Sequence, residues 1–247
     1  MTAALERLRD PGAEPVLVVF DVDGTLVDSA AAIAEVMARA FAAEGLAPPA
    51  EAAVRAVIGL SLDEAIARLA PDLDGPARAR LVAGYRAAFL AAAEAAPAAE
   101  ARRMPLFPGV RETLERLAAL DAVLLGIATG KSRRGVARLL DLHGLGGLFH
   151  SVQTADDHPS KPHPAMLEAA LAETGVAPGR ALLVGDTTHD VAMARAAGVA
   201  ALGVSWGCHP PEALARAGAW RLAERPADIL AAVGALAAGA AEGAQVS

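Results

Sequence analysis

Three short apolar runs recur along the chain, and polar or glycine-rich residues follow each of them. The runs are VLVVFD (16–21), AVLLGIATG (122–130) and ALLVGDTTHD (181–190), with a weaker fourth run, VAALGVSWG (199–207). Continuous rather than alternating apolar runs are typical of strands buried on both faces of a parallel sheet. We expect a further short strand within FHSVQTAD (149–156).

Helical patterns lie between these runs, as in GVRETLERLAAL (109–120), SRRGVARLLDLHGL (132–145), PAMLEAALAETG (164–175) and DVAMARAAG (190–198). Strands that alternate with helices indicate an α/β fold whose parallel sheet is doubly wound, with helices covering both faces.

One long segment departs from this alternation. Residues 29–104 contain no convincing strand, only alanine-rich helical sequence interrupted by short proline- and glycine-containing stretches. The pattern predicts an all-helical insertion, whose first helix Asp28 or Ser29 would cap. The predicted organisation is therefore a discontinuous core, residues 1–28 and 106–247, with a helical domain at 29–105.

Composition narrows the functional classes. The chain has 247 residues and a formal net charge of −7, and it lacks the basic stripe that non-specific nucleic-acid binding requires. A single cysteine, Cys208, excludes an intramolecular disulfide framework. No signal peptide is visible, and ILAAVGALAAGAA (229–241) is too short to span a bilayer. We expect a cytoplasmic monomer or homodimer without nucleic-acid or membrane partners.

Two aspartates, Asp21 and Asp23, follow the first predicted strand in FDVDGTLVDS. If the chain stays extended through residue 23, both side chains point the same way, and Gly24 lets the backbone approach a bound group closely. One carboxylate could then attack phosphorus while the other transfers a proton. The alternative interpretation is an Asp-Gly turn whose acids are solvated or bind backbone amides.

The motif GDTTHD (185–190) places two more acids beside a predicted helix start. Asp186 and Asp190 either cap that helix or form an oxygen-rich site of the kind that Mg²⁺ prefers. We do not expect His189, which lies between them, to be a ligand of such an ion.

Two further motifs suggest phosphate binding. In ATGKSRRG (128–135), Thr129 and the amide of Gly130 precede a helix and form either a phosphate cradle or an ordinary turn. We interpret the neighbouring Lys131 and Arg133 as solvated. Lys161, between Ser160 and Pro162, is either an ammonium held in a fixed orientation or a surface lysine.

Taken together and in order, DVDGTLVDS, ATGKSRRG, SKPHP and GDTTHD resemble the motifs of the haloacid dehalogenase superfamily of phosphohydrolases. The resemblance covers nearly the whole chain and implies a Rossmann-like core with an inserted helical cap. The chain is most similar to the phosphoglycolate phosphatase group, although β-phosphoglucomutases and small pyrophosphatases share these motifs. True dehalogenases lack an acid at the position of Asp23, so phosphoester hydrolysis is favoured.

The resemblance also implies specific roles in the hydrolysis of a small phosphorylated metabolite through an aspartyl phosphate. Asp21 would be the nucleophile and Asp23 the general acid/base. The implied Mg²⁺ ligands are the carboxylates of Asp21 and Asp186 and the backbone carbonyl of Asp23, supported by Asp190. The implied phosphoryl-binding residues are Thr129, Gly130 and Lys161, with Gly24 beside them, and Lys161 would also hold Asp21.

Two questions stay open in the sequence. A phospho-acceptor signalling domain also combines an acceptor aspartate, acidic metal ligands, a hydroxyl and a lysine on a parallel sheet, although the insertion and Asp23 argue against it. Substrate choice is expected to depend on the loop VIGLSLDE (57–64) of the insertion. Arg55 and Arg68 are interpreted either as ligands of a substrate carboxylate or as surface residues.

Overall fold

A parallel sheet forms the centre of the computed structural model, which describes residues 3–95 and 101–239. Within these ranges, six strands occur in the order β3-β2-β1-β4-β5-β6. They are β1 (Val16–Phe20), β2 (Val123–Thr129), β3 (Ser151–Thr154), β4 (Ala181–Gly185), β5 (Ala200–Val204) and β6 (Arg221–Ala223). Four of these strands were predicted from the apolar runs, and β3 was expected as a further short strand within residues 149–156. The sixth was missed because it has three residues, two of them exposed, and presents no apolar run.

Some of the helices cover both faces of this sheet, and others form the insertion. In chain order they are α1 (Ala3–Arg7), α2 (Ala30–Ala43), α3 (Glu51–Val57), α4 (Leu62–Leu69), α5 (Gly75–Ala95), α6 (Val110–Ala118), α7 (Arg133–Leu142), α8 (Ala165–Thr174), α9 (Thr188–Ala196), α10 (Pro211–Ala217) and α11 (Asp228–Ala237). Helices α1, α6, α7 and α11 share one apolar cluster with Val18 of β1. Helices α8, α9 and α10 share another with Val19. Because neighbouring residues of a strand point to opposite faces, this arrangement confirms the doubly wound α/β prediction.

The segment between β1 and α6 is helical where it is described, with α2 to α5 and no strand. These helices have an apolar cluster of their own, which includes Met37, Phe41, Ile66 and Leu81 and is separate from the two clusters on the sheet. The predicted capping of α2 is wrong. Ser29 occupies the N-cap position in a helical conformation, and its side chain makes no capping hydrogen bond.

The insertion leaves and rejoins the core through two adjacent segments. The amide of Asp28 donates to the Pro105 carbonyl at 2.8 Å, and the Phe107 amide donates to the Leu26 carbonyl at 3.0 Å. The paired segments therefore act as a common stem that fixes where the insertion sits above the sheet. No helix within residues 3–95 and 101–239 is both long and apolar enough to cross a membrane.

Candidate active site

The carboxyl ends of three neighbouring strands bring the predicted site residues together. Asp21 follows β1, Thr129 ends β2 and Asp186 follows β4, and β1 pairs with both of the other strands. Chain order reverses at β1, which is where open α/β sheets bind ligands. All three side chains are almost completely buried. The amide of Asp21 donates to the Val184 carbonyl at 2.9 Å, which continues the sheet pairing up to the candidate nucleophile.

Three buried carboxylates form the centre of the site. Oxygen atoms of Asp21, Asp186 and Asp190 all lie within 4.8 Å of one another. Burial raises the pKa of Asp21 to about 7; the Lys161 ammonium opposes this rise, and the charges of Asp190 and Asp186 add to it. Burial, followed by the charge of Asp190, also raises the pKa of Asp186 to about 6. The cluster concentrates negative charge that a cation would stabilise.

Lys161 neutralises part of this charge and is not a surface lysine. Its Nζ lies 2.9 Å from Asp21 Oδ1 and 2.7 Å from Asp190 Oδ1, and its side chain is fully buried. Burial alone would lower the pKa of Lys161, but the charges of Asp190 and Asp21 outweigh burial and raise it. The ammonium is therefore charged and fixed beside the carboxylate of Asp21.

Hydrogen bonds orient the other two acids. Asp186 accepts from the Thr25 hydroxyl at 2.9 Å and from the Cys208 amide at 2.7 Å. Asp190 Oδ2 accepts from the amide and the hydroxyl of Thr187, at 3.1 and 2.6 Å, in a capping box that begins α9. Asp190 therefore caps its helix and faces the cluster at once. Sequence reasoning missed Thr25, Thr187 and Cys208, because no motif spacing indicates whose carboxylate each of them meets.

The donor set fits a divalent cation. Asp21 Oδ2 accepts no hydrogen bond from any described residue, and Asp21 Oδ1 has only the Lys161 ammonium beside it, although both oxygens are buried. A buried acceptor without a donor is costly unless a bound group completes its environment. Asp186 also has lone pairs to spare beyond its two donors. His189 is not a member of the cluster, and its ring centroid lies 5.5 Å from that of His209.

Asp23 is not a member of the carboxylate cluster. Both of its carboxylate oxygens accept from Lys131 Nζ at 3.0 Å, and the two side chains are only about a tenth exposed. The same ammonium lies 5.3 Å from the ring centroid of Phe89 on α5. The prediction that Lys131 is solvated is therefore wrong, because α5 of the insertion packs over it. Arg133, in contrast, forms an exposed ion pair with Asp157.

Two glycines let the backbone approach the site closely. Gly24 has φ +85°, and a Cβ there would lie 2.7 Å from Asp186 Cγ. At Gly130 a Cβ would lie 2.5 Å from the carbonyl carbon of Leu60. Thr129 Oγ1 accepts from the Lys131 amide at 3.3 Å, so its hydroxyl hydrogen is free to be donated. A side chain at either glycine would displace a neighbour from the site.

The loop at residues 57–64 closes over these residues, as expected. The Ser61 amide donates to Ser160 Oγ at 2.8 Å, and a Cβ at Gly59 would lie 3.7 Å from Asp21 Oδ2. Arg55 and Arg68 form exposed ion pairs on their own helices, with Glu51 at 3.2 Å and Glu64 at 2.9 Å. Between this loop, α5 and the core lies a cavity of about 420 Å³, whose walls include Asp23 and Thr129.

Comparison with known proteins agrees with this geometry. The family model of haloacid dehalogenase-like hydrolases matches residues 18–204. Probable phosphatase IndB of Dickeya dadantii is 39% identical over 203 residues, which cover 80% of this chain and 84% of that protein. A phosphoglycolate phosphatase of Yersinia pestis is 36% identical over 218 residues, covering 88% and 92% of the two chains.

A solved structure extends the likeness to three dimensions. A protein of Haemophilus somnus, described as a predicted phosphoglycolate phosphatase, superposes with a TM-score of 0.77 at 26% identity. The match covers 90% of this chain and 99% of that one. The chain therefore belongs to the haloacid dehalogenase-like hydrolase family and is a phosphatase.

Proposed function

We propose that the protein hydrolyses small phosphomonoesters with the help of Mg²⁺, through an aspartyl phosphate formed on Asp21. The observation that carries this proposal is the environment of Asp21. Its carboxylate is buried, its Oδ2 has no hydrogen-bond donor among the described residues, and its Oδ1 lies 2.9 Å from the fixed ammonium of Lys161. A carboxylate in this setting is free to attack an electrophile bound in front of it.

In the first half-reaction, a carboxylate oxygen of Asp21 forms a bond to phosphorus while the bond from phosphorus to the ester oxygen breaks. The ammonium of Lys161, the hydroxyl of Thr129 and the amide of Gly130 hold the phosphoryl oxygens and stabilise their charge. The departing ester oxygen takes a proton from Asp23, which borders the cavity where the organic group lies. The products are the free alcohol and the acyl phosphate.

In the second half-reaction, water attacks phosphorus and the acyl oxygen of Asp21 leaves. Asp23, deprotonated by the first step, accepts the proton of this water. Lys131 orients Asp23 through both of its oxygens, so the same carboxyl group serves both steps from one position. Phosphate departs and Asp21 is regenerated.

Asp21, Asp186 and the backbone carbonyl of Asp23 would hold Mg²⁺, with Asp190 supporting this arrangement. The all-oxygen donor set favours this hard cation over metals that select nitrogen or sulfur. When bound, Mg²⁺ supplies charge neutralisation for the phosphoryl oxygens and orients them for attack.

A phosphomonoester panel assayed with Mg²⁺ tests the proposal, with phosphoglycolate first because several relatives bear its name. We expect phosphate release from wild type and none from Asp21→Asn, whose neutral amide cannot attack phosphorus. Asp23→Asn should slow turnover severely while retaining the fold. Undiminished phosphate release by Asp21→Asn would refute the role of Asp21 as the nucleophile.

Two further assays test the alternative functions. Incubation with β-glucose 1-phosphate and a bisphosphate primer tests for mutase activity, and a pyrophosphate assay tests for pyrophosphatase activity.

The proposal also assigns the roles of the two parts of the chain, the cellular location and the oligomeric state. We assign the catalytic core to residues 1–28 and 106–247 and the substrate-enclosing cap to residues 29–105. A separate apolar cluster in the insertion supports this division. The protein would act in the cytoplasm on a small phosphorylated metabolite, as a monomer or homodimer. Size-exclusion chromatography with light scattering would determine the oligomeric state.

A further inference from the structure

The cavity beside Asp23 is mainly apolar. The insertion contributes Met37, Val54, Phe89 and Leu90, and the core contributes Leu139. Of these, Met37, Val54 and Leu139 are at most 2% exposed, so they form the deep wall rather than the entrance. The uncharged polar groups of the lining are hydroxyls, such as those of Ser61 and Tyr85. The walls favour an organic group that sheds its water on entry.

Among the described residues, none in the deep walls of this cavity offers an unneutralised charge to a substrate. Lys131 reaches the cavity, but both of its contacts at 3.0 Å are to the carboxylate of Asp23. The other charged lining residues are Arg86, Arg134, Arg138, Asp63 and Asp156, all at least partly exposed. Arg86 and Asp63 lie 3.5 Å apart, with side chains 59% and 72% exposed. The charged groups therefore lie towards solvent and carry both signs.

The cavity is also much larger than the organic part of phosphoglycolate. At roughly 30 Å³ for a water-sized group, a CH₂COO⁻ group occupies about 100 Å³. The cavity volume is about 420 Å³. A carboxylate enclosed there would lose its hydration and meet only one largely buried cation, Lys131, which is already paired with Asp23, and such burial is costly. The size of the cavity and the polarity of its walls therefore both favour an uncharged organic group larger than that of phosphoglycolate.

We propose that the preferred substrate carries a neutral, apolar organic group on its phosphate, of the size of a medium alkyl chain or a single aromatic ring. This inference rests on the proposed phosphatase function and names the substrate class of the same site. The phosphoryl group lies at Asp21, the ester oxygen faces Asp23, and the apolar group extends between α5 and Leu139.

A homologous series of alkyl phosphates, from methyl to hexyl, tests this assignment with phenyl phosphate and phosphoglycolate alongside. Each methylene that enters an apolar wall is expected to raise kcat/KM about four-fold until the cavity is full. Phosphoglycolate should then fall at least about ten-fold below pentyl phosphate. A flat or falling series, with phosphoglycolate turned over fastest, would overturn the assignment.

A matched pair of variants on α4 tests whether the dependence of kcat/KM on chain length arises in this cavity. Ala65 lines the cavity, whereas Ala67 on the same helix does not. Ala65→Phe should reduce the slope of kcat/KM against chain length, and Ala67→Phe should preserve it. If Ala65→Phe does not fold, as judged by circular dichroism, Leu90→Asn provides the second test, with the same reduced slope expected. An unchanged slope in the folded cavity variant would overturn the assignment.

A binding measurement tests the proposed substrate class independently of the proposed phosphatase activity. Isothermal titration of wild type with Mg²⁺ compares pentylphosphonate with phosphonoacetate, neither of which can be hydrolysed at an ester bond. Tighter binding of pentylphosphonate supports the apolar cavity even if no phosphate is released from any ester, a result that would refute the proposed function alone. Tighter binding of phosphonoacetate would overturn the substrate class while leaving the phosphatase mechanism intact.

Discussion

Gly130 lies where the core touches the loop of the insertion, and its replacement by alanine should prevent that loop from closing. A Cβ at this position would lie 2.5 Å from the carbonyl carbon of Leu60 and 2.6 Å from the carbonyl oxygen of Gly59. Real Cβ atoms essentially never approach other atoms within 3.0 Å. Both contacts are with backbone, which cannot rotate aside as a flexible side chain would.

The size of the effect follows from this geometry. Comfortable contact between carbon atoms requires about 3.5 Å, so the loop must retreat by about 1 Å. A misplacement of that size costs about 100-fold in catalysis where the loop completes the site. Global stability should change little, because opening the loop relieves the overlap without disturbing the sheet.

The assay measures kcat/KM for phosphate release with Mg²⁺, together with hydrogen exchange of residues 57–62. Gly130→Ala should lower kcat/KM about 100-fold and speed exchange in the loop. Gly126→Ala is the matched control, on the strand that Gly130 follows, since its Cβ would meet its nearest neighbours at 3.5 to 3.6 Å, an ordinary contact. If both variants retain wild-type activity and loop protection, the loop does not complete the site.

Three other outcomes follow from the buried polar groups. Lys161→Met leaves Asp21 and Asp190 without their cation and should lower the free energy of unfolding by about 3–5 kcal/mol; an unchanged urea midpoint would contradict this. Thr187→Val removes the hydroxyl that caps α9 and should cost about 1 kcal/mol in the same measurement, with full stability as the contrary result. Burial raises the pKa of Asp21 to about 7 and that of Asp186 to about 6, from 3.8. The folded metal-free protein thus binds more protons than the unfolded chain, and its stability should fall as pH rises from about 4 through 7. Mg²⁺ should raise the Tm more at pH 8 than at pH 5, relative to EDTA, and equal shifts at both pH values would refute the charge argument.

Much of the fold can be predicted from local sequence, because strands that are buried on both faces of a sheet require continuous apolar residues. Four strands were predicted from such runs, and other local patterns predicted β3, the helices between these strands and the helical insertion. The order of the motifs also located Asp21, Thr129 and Asp186, since each follows a strand and parallel strands end at one edge. The short edge strand β6 and the missing side-chain cap at Ser29 were outside the reach of this reasoning. A strand of three residues, two of them exposed, and the backbone conformation of one residue leave no periodic signal.

Tertiary structure alone decided the partners of the charged groups and the shape of the cavity. Lys131 meets Asp23, 108 residues away, and the Ser61 amide meets Ser160, 99 residues away. Neither contact has a local signature, because the first depends on the pairing of β1 with β2 and the second on how the insertion is seated on the core by its stem. The sequence by itself determined which groups stand at the strand ends and hence the class of chemistry. Only the assembly of the strand ends into one sheet decided which charges are neutralised, and only packing of the insertion over those ends decided what kind of organic group the remaining space favours.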